Sequence, residues 1–281
     1  MAAAIIDSIS THYEVMGSGP PLLLFAPGGF DATIEKWSTL GIYAKTKPLH
    51  HLATHFTCIA FDRRECGRSG GRVERVTWMD FARQAKGLLD HLGFQRASIM
   101  GGCMGCSAAF AFALAYPEAT DKMVLFWPVG GARYRINSHQ RFAEHLSFVV
   151  HNGMEAVVKL VNAGGKPFGG DPRGGPWASV IRSDPAFAAQ YAAMNVDAYK
   201  LIVAGMVRTM MDRDTAPGAE AEDLLRCQVP ALVVPGNDAS HATSAARYLA
   251  ECLPGAQYWD MPVDGQTEQS TAKRLLDFLC A

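Results

Sequence analysis

The sequence contains no apolar run near the roughly 20 residues needed to span a bilayer, so no transmembrane helix is expected. It has almost no net charge: 26 basic and 27 acidic side chains leave −1, which removes the electrostatic case for nucleic acid or an anionic membrane as partner. Met1-Ala2-Ala3-Ala4-Ile5-Ile6 lacks a basic stretch and a long apolar core, so no signal peptide is expected and the chain is read as cytoplasmic. Its seven cysteines are an odd number in a large chain and read as free thiols in a reducing compartment, not as a disulfide framework. No second Cys or His pair lies near Cys103-Met104-Gly105-Cys106 to complete a metal site, so no metal and no organic cofactor are expected. A redox role for that pair is the rival reading. Histidine is missing altogether after His241. With 49% hydrophobic and 19% charged residues, the 281-residue chain is globular and long enough for one large α/β domain carrying an insertion.

The most informative stretch is Ala97 to Ser107. An apolar run ends in Gly101-x-Cys103-x-Gly105, and a helical run of small residues begins at once. This is the pattern of a nucleophile elbow, in which a strained turn lifts its central side chain out of a sheet. Glycines two before and two after are needed because a Cβ there would collide with the neighbouring strand and helix. The central residue is Cys103, and the N–H of Met104 would sit at a helix N-terminus, where it suits half of an oxyanion hole.

Along the chain, Ile9 to Met16 and Pro21 to Phe25 read as strands joined by a hairpin-like turn at Gly17-Ser18-Gly19-Pro20. Phe56 to Phe61 is the next strand, Trp78 to Leu92 a helix with apolar residues at helical spacing, and Lys122 to Phe126 another strand. From Trp127 to about Ala216 the pattern turns to helical segments broken by glycine-rich loops. The helices expected there are Phe142 to Val150, Met154 to Val161, Pro185 to Ala193 and Ala198 to Met211. A strand ending in Gly236-Asn237-Asp238, a helix from Ala242, a strand from Gln257 to Met261 and a helix from Thr271 to Leu279 complete the chain.

These residues together resemble the α/β-hydrolase superfamily over almost the whole length. The resemblance rests on the elbow, the Asp62-Arg63-Arg64-Glu65-Cys66-Gly67-Arg68-Ser69 loop, the Pro27-Gly28-Gly29 loop, the helical insertion and the Gly236-Asn237-Asp238 turn. It implies an α/β fold with an eight-stranded, mostly parallel sheet, a core over residues 1–126 and 217–281, and a helical cap over 127–216. It also implies a second oxyanion donor at the N–H of Gly29 or Phe30, and Asp238 as the acid of a triad. Glu65 takes a place where the family commonly has glycine; between Arg64 and Arg68 it reads as a structural ion pair.

The family's histidine follows the last strand, and there the sequence has Gln266. Glutamine cannot take a proton near neutrality, so it is no general base, although its amide could orient a substrate, a water or the thiol. A thiol nucleophile needs less help than a hydroxyl. Three readings follow. Another histidine substitutes, His241 or His145 among the candidates with His139 and His151; the reaction needs no base, as in a lyase, a decarboxylase or a transferase; or the site binds a small molecule without chemistry. The favoured expectation is an enzyme cleaving an ester, lactone, thioester or activated C–C bond of a small apolar substrate. Without a histidine at the family position, Asp238 is expected to hold a water, a backbone N–H or His241, to act itself with a pKa raised for want of a cationic partner, or to be a turn residue capping the helix near Ala242. The sequence leaves the oligomeric state open, a homodimer included.

Overall fold

A computed structural model describes residues 2–281. Its centre is one eight-stranded sheet: β1 (Ala2–Ile6), β2 (Ile9–Met16), β3 (Pro21–Phe25), β4 (Thr57–Phe61), β5 (Ala97–Gly102), β6 (Thr120–Phe126), β7 (Ala231–Val234) and β8 (Gln257–Tyr258). The spatial order is β1-β2-β4-β3-β5-β6-β7-β8. Pairings β1–β2 and β2–β4 are antiparallel and the remaining five are parallel. The continuously apolar strands take the middle: Leu22–Phe25 of β3 and all six residues of β5 are buried, as strands covered on both faces must be.

One local expectation is corrected. β2 and β3 are consecutive but form no hairpin, because β4 lies between them and pairs with both. Gly17 and Gly19 do make the turn, at φ +76° and +130°, with no space for a Cβ against the Ala53 and His55 carbonyls. Their turn feeds a crossover, and β1 covers the outer edge of β2.

The two faces of the sheet bury separate clusters. On one, the helices Trp78–His91 and Gly105–Ala115 pack with Leu23, Ile59, Ile99 and Val233. On the other, Trp37, Tyr43 and Leu52 from short helices after β3, with Leu275 and Phe278 from the last helix, cover Leu22, Met100 and Val124. Helix Trp78–His91 opens with reciprocal bonds between Thr77 and Asp80, a capping box that satisfies free N–H groups. Between β6 and β7 the chain runs through six α-helices, Ala132–Asn152, Met154–Asn162, Ala178–Ser183, Pro185–Ala192, Val196–Met210 and Ala221–Arg226. The first of these begins ten residues earlier than the periodicity alone places it, because Arg133, Arg135 and Asn137 interrupt the apolar spacing without breaking the helix. Among the described residues no helix is long and apolar enough to cross a membrane.

Candidate active site

The turn after β5 has the strained geometry its glycines require. Cys103 sits at φ +54°, a conformation that only glycine enters readily. A Cβ on Gly101 would lie 2.5 Å from the Gly105 carbonyl oxygen, and one on Gly105 would lie 2.3 Å from that of Phe25. Strand, turn and helix therefore pack backbone against backbone. Gly105–Ala113 is buried along its whole length, which explains the run of small residues.

Cys103 lines a cavity of about 370 Å³ together with Gly28, Gly29, Phe30, Met104, Trp127, Asp238 and His241. Tyr134, Ser138, Arg141 and Phe142 enter it from the first helix of the insertion. Phe30 packs edge-on against Phe142 and Phe168, at ring separations of 5.4 and 5.6 Å, and so ties the loop after β3 to the insertion. The carbonyl of Gly29 accepts a hydrogen bond from the buried Arg63 guanidinium, which lies over the Phe81 ring. In a trans peptide this turns the Phe30 N–H the opposite way.

A histidine does stand beside the thiol, and it is His241. Its Nδ1 lies 2.9 Å from both carboxylate oxygens of Asp238. Nε2 is buried, has no well-aligned hydrogen-bond partner, and belongs to the ring that acts on Cys103. Burial opposes ionisation of Cys103, but the His241 charge and hydrogen bond, with the backbone N–H groups of Gly28 and Met104, outweigh it and lower the thiol's pKa. Burial likewise disfavours the His241 cation, yet Cys103 and Asp238 raise it to about 10. The arrangement favours a thiolate–imidazolium pair.

Asp238 holds His241 and two backbone N–H groups, and is neither a raised carboxyl nor a helix cap. Its hydrogen bond to His241 holds it down to about 2 in spite of partial burial, so no raised carboxyl exists. Oδ1 also accepts from the N–H groups of Ser240 (2.8 Å) and His241 (2.9 Å), so the carboxylate shapes the turn that delivers its own partner. It does not cap the following helix, Thr243–Cys252, whose N-cap is Ala242.

Two candidates move out of the site. Gln266 is fully buried and does not line the cavity; its Oε1 accepts from the Trp127 indole N–H (2.7 Å), and Nε2 donates to the Pro235 (2.8 Å) and Met261 (3.2 Å) carbonyls. With its amide committed to these partners, it cannot orient a substrate or the thiol. His145 is buried inside the insertion, bonded to Tyr199 Oη (2.6 Å) and the Arg173 carbonyl, and burial lowers it to about 4. His139 and His151 also bond carbonyls on the insertion and do not line the cavity. Of the two expected oxyanion donors on the β3 loop, both Gly29 and Phe30 line the cavity, with Gly28 beside them, whose backbone helps lower the Cys103 pKa. Sequence reasoning missed Trp127, Tyr43 and Arg141 as lining residues. Trp127 carried one signal, a bulky residue directly after a buried strand; it sits at φ +56°.

Cys106 is buried, its thiol held against the Gly101 (3.1 Å) and Phe126 (3.5 Å) carbonyls and its pKa pushed well up by burial. Glu65 pairs with the buried Arg64 at 2.9 Å, away from Cys103. Among the described residues the one cluster of candidate metal ligands outside the site is His50, His51 and Glu268, at the surface, where Glu268 is already paired with Lys47.

Sheet, elbow and acid turn define an α/β-hydrolase fold. The sequence comparisons agree. A family model described as the alpha/beta hydrolase fold matches residues 21–151. The chain is 49% identical over 120 residues to a 2-hydroxy-6-oxo-6-phenylhexa-2,4-dienoate hydrolase of Comamonas testosteroni, a match covering 42% of this chain and 40% of that protein. It is 47% identical over 126 residues to a protein of the same name from Burkholderia cepacia, covering 44% and 42%. The matches thus span about two fifths of these curated relatives (40% and 42%). Among solved structures, the enol-lactonase from Burkholderia xenovorans LB400 superposes with a TM-score of 0.64 at 20% identity over 100% of both chains. A variant meta-cleavage product hydrolase from Pseudomonas fluorescens IP01 gives 0.62 at 18% identity, over 100% of this chain and 97% of that one. At such identities the structural likeness establishes the fold.

Proposed function

We propose that this protein is a cysteine-dependent hydrolase of small substrates, with Cys103 as nucleophile, His241 as general base and acid, and Asp238 holding the imidazole. The observation that carries the reading is the His241 ring, bonded to Asp238 through Nδ1 and lining the same cavity as Cys103. This supplies the proton acceptor that position 266 lacks, so the chemistry need not be of a kind that avoids a base. In the first step the thiolate adds to the substrate's carbonyl carbon, and the oxygen takes up negative charge. Met104 N–H, with an N–H of the Gly28–Phe30 loop, would receive that charge. Collapse breaks the bond to the leaving group, which takes the imidazolium proton, and leaves a thioester on Cys103. His241 then removes a proton from water as the water adds to the thioester, and returns it to the departing thiol.

The relatives named for dienoate hydrolysis, and the structural neighbour named an enol-lactonase, support a C–C bond next to a carbonyl, or a lactone, as the bond cleaved. The helical insertion, read as a cap, would supply the substrate-facing wall. That wall is apolar at Phe142 and Phe168 and carries one guanidinium, Arg141, with which no carboxylate among the described residues pairs. A small substrate with an apolar body and an acidic end fits both features. Intact-mass analysis during turnover of 4-nitrophenyl acetate tests the reading: an acyl adduct on Cys103, absent from Cys103→Ala, is expected. An ester hydrolysed equally well by Cys103→Ala would overturn it.

A further inference from the structure

We propose that Gln266 is a positioning residue: it fixes the indole of Trp127, and the indole holds the His241 imidazole in the rotation that presents Nε2 to Cys103. The proposal deepens the hydrolase reading and rests on it. Gln266 stands where the fold usually keeps its base, yet it is fully buried behind the cavity wall and none of its polar atoms faces the cavity. Its carboxamide spans three partners at once: Trp127 Nε1–H donates to Oε1 at 2.7 Å, and Nε2 donates to the carbonyls of Pro235 and Met261. One side chain thereby joins the end of β6, the end of β7 and the loop after β8. Trp127 needs such a hold. It is a bulky residue at φ +56°, a conformation that persists only where its surroundings fix it.

The indole in turn bears on the histidine. The Trp127 and His241 rings lie 5.4 Å apart, tilted by 55°, and both face the cavity. No slack remains beneath them: a Cβ on Gly236 would lie 2.6 Å from the His241 Cβ and 2.9 Å from the indole. Asp238 alone is a loose anchor for the ring, since its side chain is 48% exposed. A π-face against an imidazolium also stabilises the cation. The groups facing the imidazole are therefore Asp238, Cys103 and the uncharged indole. The position that lost the base has become the support for a base supplied elsewhere.

The test is the rate of Cys103 alkylation by iodoacetamide, read by intact mass from pH 5 to 9, in the full chain and in Gln266→Leu, Trp127→Phe and the double variant. Gln266→Leu leaves the indole N–H without its acceptor, Trp127→Phe removes that N–H, and the double variant removes both. With the fold verified by circular dichroism, each single variant should alkylate about tenfold more slowly than the parent at pH 6, because less of the thiol is ionised without an aligned imidazolium. The double variant should be no slower than Trp127→Phe alone, since Gln266 acts through the indole. Parent-like rates in Trp127→Phe, or losses that multiply in the double variant, overturn the proposal. Should Gln266→Leu fail to fold, Trp127→Phe decides it alone. A parent whose Cys103 is no more reactive than its other thiols at pH 6 sinks the hydrolase reading and this proposal together. A fast parent with unchanged variants sinks only this one.

Discussion

The two ends of the candidate site are built by different rules. At the nucleophile end, the turn that places Cys103 is set within five residues: Gly101 admits the elbow helix, Gly105 admits the Phe25 carbonyl, and the turn strains the residue between them. At the base end nothing is local except the pair itself. Asp238 and His241 share one turn, and the wall behind them comes from Trp127 and Gln266, which are 139 residues apart in sequence. The first end is dictated by sterics between backbone atoms, which tolerate almost no substitution. The second depends on side chains from distant parts of the chain: the turn of Asp238 carries His241, and Gln266 bonds the Trp127 indole behind it.

Removing His241 should separate the two ends most sharply. His241→Ala leaves the elbow untouched and removes the proton acceptor, so hydrolysis of an activated ester should fall by about a hundred- to ten-thousandfold. Cys103 alkylation near pH 6 should fall with it. A variant that keeps the parental pH dependence of alkylation would show that the thiol draws its acidity from the helix N-terminus alone, and the comparison would collapse.

The complementary break is at the other end. Gly105→Ala puts a Cβ 2.3 Å from the Phe25 oxygen and 2.9 Å from that of Ala26, both backbone atoms that cannot step aside. A loss of about 1–3 kcal/mol of stability is expected, readable as a lower denaturation midpoint. Gly169→Ala, whose Cβ meets nothing within 4 Å, is the control and should stay within about 0.5 kcal/mol. Equal midpoints for the two variants would mean the elbow relaxes, contrary to backbone-on-backbone packing.

What could be read from the sequence follows the same division. Cys103, Met104 and the loop of Gly28, Gly29 and Phe30 were legible because a short run of glycines after a strand constrains the backbone whatever the rest of the chain does. The helical insertion was legible from periodicity. His241 was visible only as one candidate among several, since nothing in Asp238-Ala239-Ser240-His241 says that the turn folds the ring back onto its own carboxylate. A histidine three residues after an aspartate that can accept N–H groups from the same turn is the signal that was there. Gln266 was misassigned because the family position predicts where the backbone runs, while the side chain's bonds to Trp127 and Pro235 are set by tertiary contacts. The β2–β3 hairpin failed for the same reason: Gly17 and Gly19 signal a turn, but β4 comes between the two strands.

The smallest expected effect concerns stability against pH, and its sign needs both partners. His241 is raised to about 10, so alone it would stabilise fully below its unfolded value of about 6.5 and lose that contribution as pH rises through about 10. Cys103 is lowered, so alone it would stabilise above its unfolded value of about 8.5 and lose that contribution as pH falls through its folded value. Where the folded thiol is ionised beside a protonated imidazole, the folded pair holds one proton, as the unfolded pair does between about pH 6.5 and 8.5, and there the two slopes cancel. Below that window the unfolded chain binds the extra proton, and above it the folded chain keeps one that the unfolded chain has lost. Asp238 adds nothing in this range, because its own contribution is lost only as pH falls from about 4 toward about 2. For such a thiolate–imidazolium pair, the melting temperature of the parent, less that of the double variant Cys103→Ala/His241→Ala, should be flat from about pH 6.5 to 8.5 and decline on both sides, by a few degrees. A difference that instead grows as pH falls from about 8.5 to 6.5 and levels off below would mean a neutral thiol beside a protonated histidine, and the base end of the site would then owe its charge to Asp238 alone.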